Sequence, residues 1–303
     1  MIAVRCKYCG FTPAAKNGTV NGEQVYRCRM CGRRFYGNGR FAKMKTGRKV
    51  IVAALNLYYE GLSLRKTQRV LETIYGKTVS QVAILGWIRK YSALVAEYAA
   101  TLTPQLSGMW HEDETVVSCE RKNVWFWQMI DEDTKFLVAS HLSDTRTLQD
   151  TITIFQKGLE QAKIRPRAVF VDGSLVYEPA FNHVFWTLKK STRPQLVQRV
   201  GIRTRETNNI VERLHGTVKD RIGPARGFKS FPSTKRLLEG FAVHYNFVRP
   251  HQSLGRTPAQ AARTDAPTGW ADLIDVATRR EAELLAKATR QPKAAKMAEV
   301  IVP

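Results

Sequence analysis

Over residues 109–118 a strand-like run carries His111, Glu112, Asp113 and Glu114 in succession, followed by Thr115. No other stretch limits the possible folds as tightly. Strand alternation puts His111, Asp113 and Thr115 on one face and Glu112 and Glu114 on the other. A carboxylate in the middle of a central strand is costly to bury without a partner. A divalent cation is such a partner, and it calls for further oxygen ligands from elsewhere in the chain.

Two other acids answer that description. The run Ala168-Val-Phe-Val-Asp172 reads as a buried strand that ends in Asp172-Gly173, where an open α/β sheet places its functional groups. Glu212 lies in a helical segment, residues 208–219, on which Asn209, Glu212, His215, Gly216 and Lys219 share one face. A polar stripe with a small residue in it suits a surface that approaches DNA closely. Asp113, Asp172 and Glu212 can together hold two Mg²⁺ or Mn²⁺ ions about 3.5–4 Å apart. All-oxygen donors favour those ions over zinc. Other acids have simpler readings: Asp131 and Asp133 as turn formers, and Glu206 as a partner of a helix dipole.

Around these acids the pattern is β-β-β-α-β-β-α-α. Strands are expected over 109–118, 124–130, 136–142, 168–172 and 185–188, and helices over 145–162, 207–222 and 233–247. Trp125 and Trp127 read as core or sheet surface, and Cys119 as a buried thiol.

Upstream, four of the five cysteines lie within the first 31 residues. Cys6-Lys-Tyr-Cys9 and Cys28-Arg-Met-Cys31 are CxxC pairs, each followed at once by glycine, with eighteen residues between them. Two such turns supply four soft ligands for one tetrahedral Zn²⁺. With turn signals at 17–18 and 21–22 and a short strand over 24–27, residues 1–40 read as a zinc ribbon. A domain of about 40 residues would hardly fold without the metal. Residues 41–103 read as three helices, 50–59, 64–75 and 81–91, the last two capped by Ser63 and Ser80. Val82, Leu85 and either Ile88 or Trp87 would face inward. This arrangement suits a helix-turn-helix whose third helix presents Gln81, Arg89 or Lys90 to the major groove.

The 303 residues carry 48 Lys and Arg against 26 Asp and Glu, a net charge of +22. Such an excess implies a polyanionic partner. Lys189, Lys190, Arg193, Arg199, Arg203 and Arg205 add a basic cluster that would line a DNA path. No run of about 18 apolar residues suggests a membrane span, and a cytoplasmic location is expected.

At this point the chain resembles a known family. Trp110-His-Glu-Asp113-Glu-Thr115, Val171-Asp172-Gly173 and Asn208-Asn-Ile-Val-Glu212-Arg-Leu-His215 with Lys219 are similar to the DDE transposases of prokaryotic insertion sequences. Their catalytic core is RNase H-like and related to retroviral integrases. The spacing is 58 residues between the aspartates and 39 between Asp172 and Glu212. Residues 245–258 also look like the end of such a core. The resemblance implies an α/β core with a mixed five-stranded sheet over 104–262, followed by a basic tail over 263–303. It implies Asp113, Asp172 and Glu212 as ligands of two Mg²⁺ or Mn²⁺ ions. Lys219 would contact the end of the element's DNA, and His215 phosphate. The partners would be double-stranded DNA, as terminal inverted repeats and target, and further copies of the chain. An RNase H-like nuclease or resolvase, and a DNA-binding regulator that kept the fold without activity, are the competing readings.

Overall fold

The computed structural model describes residues 6, 14–20, 23–36, 44, 46–198, 209–225 and 227–290. The chain divides into two compact units, Met1–Arg48 with Ile274–Pro303, and Lys49–Leu273.

In the first unit β1 (Ala15–Val20), β2 (Glu23–Arg27) and β3 (Arg34–Tyr36) form an antiparallel sheet in that order. The register shifts between Lys16 and Thr19, where Gly18 takes a φ of +79° that a side chain would resist. Among the described residues Cys6, Cys28 and Phe35 form a buried cluster, with Tyr26 stacked on Phe35 at 5.9 Å. So small an apolar cluster cannot by itself offset the entropy of ordering the chain.

The second unit begins with three helices, α1 (Arg48–Tyr59), α2 (Leu64–Tyr75) and α3 (Gln81–Ala99). Ser63 Oγ accepts from the Lys66 N–H at 3.3 Å and Ser80 Oγ from the Ala83 N–H at 3.2 Å, as the capping pattern predicts. Gly76 ends α2 in the left-handed region. The third helix continues past the expected stop at Tyr91. Its buried stripe, Ile84, Trp87, Ile88, Tyr91, Val95 and Tyr98, keeps the helical spacing for two more turns. Val82, expected to face inward, is 81% exposed; two residues before Ile84, it lies on the far side of the helix.

Next come β4 (Met109–Cys119), β5 (Lys122–Asp131), β6 (Leu137–Ser143), α4 (Leu148–Ala162), β7 (Ala168–Val171), α5 (Tyr177–Phe185) and β8 (Gln195–Gln198). The five strands form one sheet in the order β6-β5-β4-β7-β8. The β4–β5 and β5–β6 pairs are antiparallel, and β4–β7 and β7–β8 are parallel. The mixed five-stranded sheet is therefore present, but its last strand is not the one expected. Residues 185–188 end a helix and enter a loop. Tyr177, Phe181 and Phe185 recur every four residues and pack against Phe155 of α4. That is helical spacing, and it overrides the strand preference of the short aromatic run.

The chain then forms α6 (Asn209–Ile222), α7 (Phe231–Val243), a π-helical turn over His244–Val248, α8 (Pro258–Ala261) and α9 (Trp270–Arg290). Helix α4 covers β5 and β6, and α6 packs on β4 and β5. At the edge strand β6, Asn246 imitates a neighbouring strand: its Oδ1 accepts from the Leu137 N–H at 2.9 Å and its Nδ2 donates to Leu137 O at 3.0 Å.

Helix α3 packs along α7, and Gly240 permits the close approach. A Cβ there would stand 2.0 Å from Tyr59 Oη and 2.6 Å from Ser92 Oγ, two groups already hydrogen-bonded to each other at 2.7 Å. Gly240→Ala is expected to cost at least about 1–3 kcal/mol by overpacking, visible as a lower Tm in calorimetry.

Beside it, buried His244 lies against the rings of Tyr59 and Trp270, which also stack on each other at 5.4 Å. Its Nδ1 accepts from Trp270 Nε1–H at 3.2 Å, which leaves Nε2 to donate to Glu60 Oε1 at 3.0 Å. Burial holds the His244 pKa below 6.5, and the hydrogen bond from His244 holds the Glu60 carboxyl below its usual range. Both shifts are downward, so their stabilisation is present above the unfolded-state pKa values and is lost on acidification. The Tm should fall as pH drops from about 7 through the His range near 6.5, with a shallower slope in His244→Gln.

Candidate active site

Parallel pairing of β4 with β7 sets Met109 beside Ala168, Trp110 beside Val169 and His111 beside Phe170. The His111 and Phe170 rings stack at 4.6 Å. Continued by two residues, this register brings Asp113 level with Asp172, just past the end of β7. Asp113 Oδ1 accepts from the Glu114 N–H at 2.9 Å. Asp172 Oδ1 accepts from the Ser174 N–H at 2.8 Å, across Gly173.

Carboxylate oxygens of Asp113, Glu114 and Asp172 lie within 4.8 Å of one another. Glu114 was expected on the opposite face. Its backbone does alternate as expected: Tyr177 on α5 donates to Glu114 Oε2 at 2.9 Å, whereas Asp113 looks toward α6. Near the end of the short strand β7, however, the Glu114 side chain reaches round to the same group. Arg146 holds it there, paired with both Glu114 and Asp172, the latter at 3.5 Å, while its guanidinium rests on the Trp125 ring at 5.2 Å. Glu112, on the Tyr177 side, is fully buried, and burial pushes its carboxyl well above the usual range.

Helix α6 presents His215 to the strand, with Nδ1 3.8 Å from Asp113 Oδ2, long for a hydrogen bond. Burial, reinforced by Lys219, pushes the His215 pKa down to about 4, so the ring is neutral at pH 7. Glu212 is exposed in the first turn of α6. It lies outside the three-carboxylate cluster but close enough to act on Asp113. Burial first, then Glu114, with Asp172 and Glu212 adding, raises the Asp113 pKa to about 7. Three converging carboxylates with oxygen-only donors, one of them driven toward protonation by its neighbours, fit a hard divalent cation.

The other expected contacts are dispersed. Lys219 is exposed further along α6, and Asn209 lines a separate pocket at the start of that helix. On α3, Gln81 is exposed, Lys90 lies over the Tyr91 ring at 5.0 Å, and Arg89 donates to Ser233 Oγ at 3.0 Å. Lys189, Lys190 and Arg193 precede β8, whose start pairs with Ala168, the end of β7 away from Asp172. Arg199, Arg203, Arg205 and Glu206 lie outside the described residues. Asp131 is the turn former expected, accepting from the Thr134 N–H at 3.0 Å. Cys119 is buried beside Thr234 Oγ1 at 3.4 Å, and Trp127 is buried with its N–H on Ser143 Oγ at 2.8 Å.

In the first unit the sulfurs of Cys6, Cys28 and Cys31 lie within 4.8 Å of one another, Cys6 and Cys31 at 3.7 Å. Two sulfurs on a tetrahedral zinc, at about 2.3 Å from the metal, would be about 3.8 Å apart. The Cys31 N–H donates to Cys28 Sγ at 3.4 Å, and Gly32 continues the turn at φ +67°. These three donors fit zinc; Cys9, the expected fourth ligand, lies outside the described residues.

Arg146, Tyr177 and Glu114 were not foreseen as site residues. One signal was available for Arg146. It precedes Thr147, which forms a capping box with Asp150, so the true start of α4 is written in the sequence and leaves Arg146 in the loop over the strand ends.

Residues 107–251 match a family model described as a DDE domain. The matched segment, similar to that family, carries the mixed five-stranded sheet. The uncharacterized protein MJ0017 of Methanocaldococcus jannaschii is 25% identical over 215 residues, covering 69% of this chain and 91% of its own length. Among solved structures, the HTLV-2 integrase catalytic core domain in complex with magnesium (trimeric form) is similar at a TM-score of 0.39 and 16% identity, over 53% of this chain and 98% of that one. The simian T-cell lymphotropic virus intasome in complex with PP2A regulatory subunit B56 gamma is similar at 0.41 and 15%, over 65% and 70%.

A guanidinium paired with two carboxylates competes with a cation for the same oxygens. Arg146→Gln should therefore bind Mn²⁺ more tightly, read by calorimetry as a several-fold lower Kd. A weaker Kd would mean that Arg146 instead preorganises the acids.

Proposed function

We propose that the chain is a polynucleotidyl transferase: a DNA transposase that cleaves at the ends of its mobile element and joins them to target DNA. The observation that carries this reading is the side-by-side placement of Asp113 and Asp172 within a DDE domain, with Glu212 on the helix that packs over them. In it, Asp113, Asp172 and Glu212 hold two Mg²⁺ or Mn²⁺ ions. When bound, such ions activate a water or a 3′ hydroxyl for in-line attack on a phosphodiester and stabilise the leaving oxygen. The chain's own groups orient that reaction. The Ser174 N–H fixes the Asp172 carboxylate and the Glu114 N–H fixes that of Asp113. Neutral His215 offers a hydrogen bond beside Asp113 without adding a charge, and Lys219 meets phosphate further along α6.

The same reading gives the remaining segments to DNA. Cys6, Cys9, Cys28 and Cys31 hold one structural Zn²⁺ in a ribbon over residues 1–40. Helices α2 and α3 act as a helix-turn-helix that presents Gln81, Arg89 and Lys90 to the terminal repeats, and the net charge of +22 supplies counterion release on DNA. Two element ends must be brought together, which calls for a dimer or a higher assembly. Among the described residues no helix is long and apolar enough to cross a membrane. The substrate is met in the cytoplasm, at the nucleoid.

The test is strand cleavage and joining with labelled inverted repeats and Mg²⁺. Asp113→Asn, Asp172→Asn and Glu212→Gln should each lose about 10³-fold or more, since a metal supplies several kcal/mol to the transition state. Cleavage without joining would turn the assignment toward a nuclease. If Glu114→Gln abolishes activity while Glu212→Gln does not, the third ligand is Glu114. Cys28→Ser should lower the zinc content measured on the purified protein.

A further inference from the structure

One flank of α6 faces a cavity of about 260 Å³ that does not include the carboxylate cluster. Its polar lining holds two cations, Lys135 and Arg213, among neutral donors. Lys135 enters from the turn between β5 and β6, where it takes a φ of +54° and donates to the Glu132 carbonyl. Arg213 enters from α6, immediately after Glu212, and His251 from the segment beyond the π-helical turn. The His251 Nδ1 accepts from the Ser253 N–H at 3.3 Å, which leaves its proton on Nε2 and makes it a donor. Asn209 and Tyr245 complete the set. Lys135, Asn209, Arg213, Tyr245 and His251 thus offer donors of five kinds, and among the described residues the lining includes no acidic one.

We propose that this pocket binds a phosphodiester group of the DNA backbone, beside the strand whose scissile bond lies at the carboxylates. Cations collected around one concavity repel each other unless an anion joins them. His251 registers that repulsion: burial first, then Lys135, Arg249 and Arg213, hold its pKa below the ordinary value. The location suits a backbone contact. Arg213 is about 100° round α6 from Glu212. The lining residue Ile130 pairs with His111, two residues along β4 from Asp113, a rise of about 7 Å. A pocket of this volume accepts a phosphate but not a base with its sugar and both neighbours. The contact therefore sets the position of the strand without reading its sequence. This inference rests on the proposed DNA substrate, and it can fail while the catalytic assignment stands.

Arg213 is exposed, so its substitution does not threaten the core. Binding of two duplexes of unrelated sequence is measured by fluorescence anisotropy against NaCl, without added divalent cations, for the wild type, Arg213→Gln, Arg213→Lys and His251→Gln. Losing one phosphate contact should lower the slope of log K against log salt by about 1 in Arg213→Gln, equally for both duplexes. Arg213→Lys should keep the slope, and His251→Gln should weaken binding several-fold with little change of slope. An unchanged slope and affinity in Arg213→Gln, at wild-type Tm, would overturn the proposal. A second arm titrates inorganic phosphate against the bound duplex. Phosphate that binds in an Arg213-dependent way while the duplex slope stays unchanged would assign the pocket to a small phosphate ester and overturn it as well. Strand cleavage lost in Asp113→Asn, with duplex binding and slope retained, separates this outcome from a failure of the catalytic reading.

Discussion

The site depends on one pairing, the parallel ladder between β4 and β7. Parallel strands need a long crossover, and here α4 supplies it, packed on β6 and β5 with Phe155 and Ile154 buried. Because both strands run the same way, their carboxyl ends open on the same side. Two aspartates with 58 residues between them become neighbours by register alone. An antiparallel pairing of the same segments would send Asp172 to the opposite end of β4.

Having brought like charges together, the fold has to keep them there. Backbone N–H groups take one oxygen from each aspartate, and Arg146 bridges Glu114 and Asp172. Burial and mutual repulsion still leave Asp113 poised near neutrality. Oxygen donors gathered in this way suit a hard divalent cation, a preference that follows from the donors rather than from any one distance. The sulfur cluster of the first unit follows the same logic with soft donors: Cys6 and Cys28 are buried with Phe35, and partly buried Cys31 packs against them.

Much of this was readable beforehand, for identifiable reasons. Strands β4 to β7 announce themselves because an alternating or fully apolar pattern is bounded by turns, and the serine caps of α2 and α3 are local chemistry. Asp113 and Asp172 could be chosen by strand position. The errors arose where tertiary packing decides. Residues 185–188 read as a strand by themselves, and Phe185 as the end of a helix once Tyr177, Phe181 and Phe185 have α4 to receive them. Glu114 was assigned by alternation alone, but a long side chain near a strand end is not confined to its face. Arg146 could not be found at all from spacing, since its partners come from β4 and from beyond β7.

The contact between α3 and α7 has a mechanical meaning. Ser92 and Tyr59 close on Gly240 with no room to slide, α7 runs on through the π-helical turn, and Asn246 in that turn is bolted by two hydrogen bonds to Leu137. A displacement applied at α3 is therefore handed to the edge of the five-stranded sheet through rigid parts, with no loop in series to absorb it.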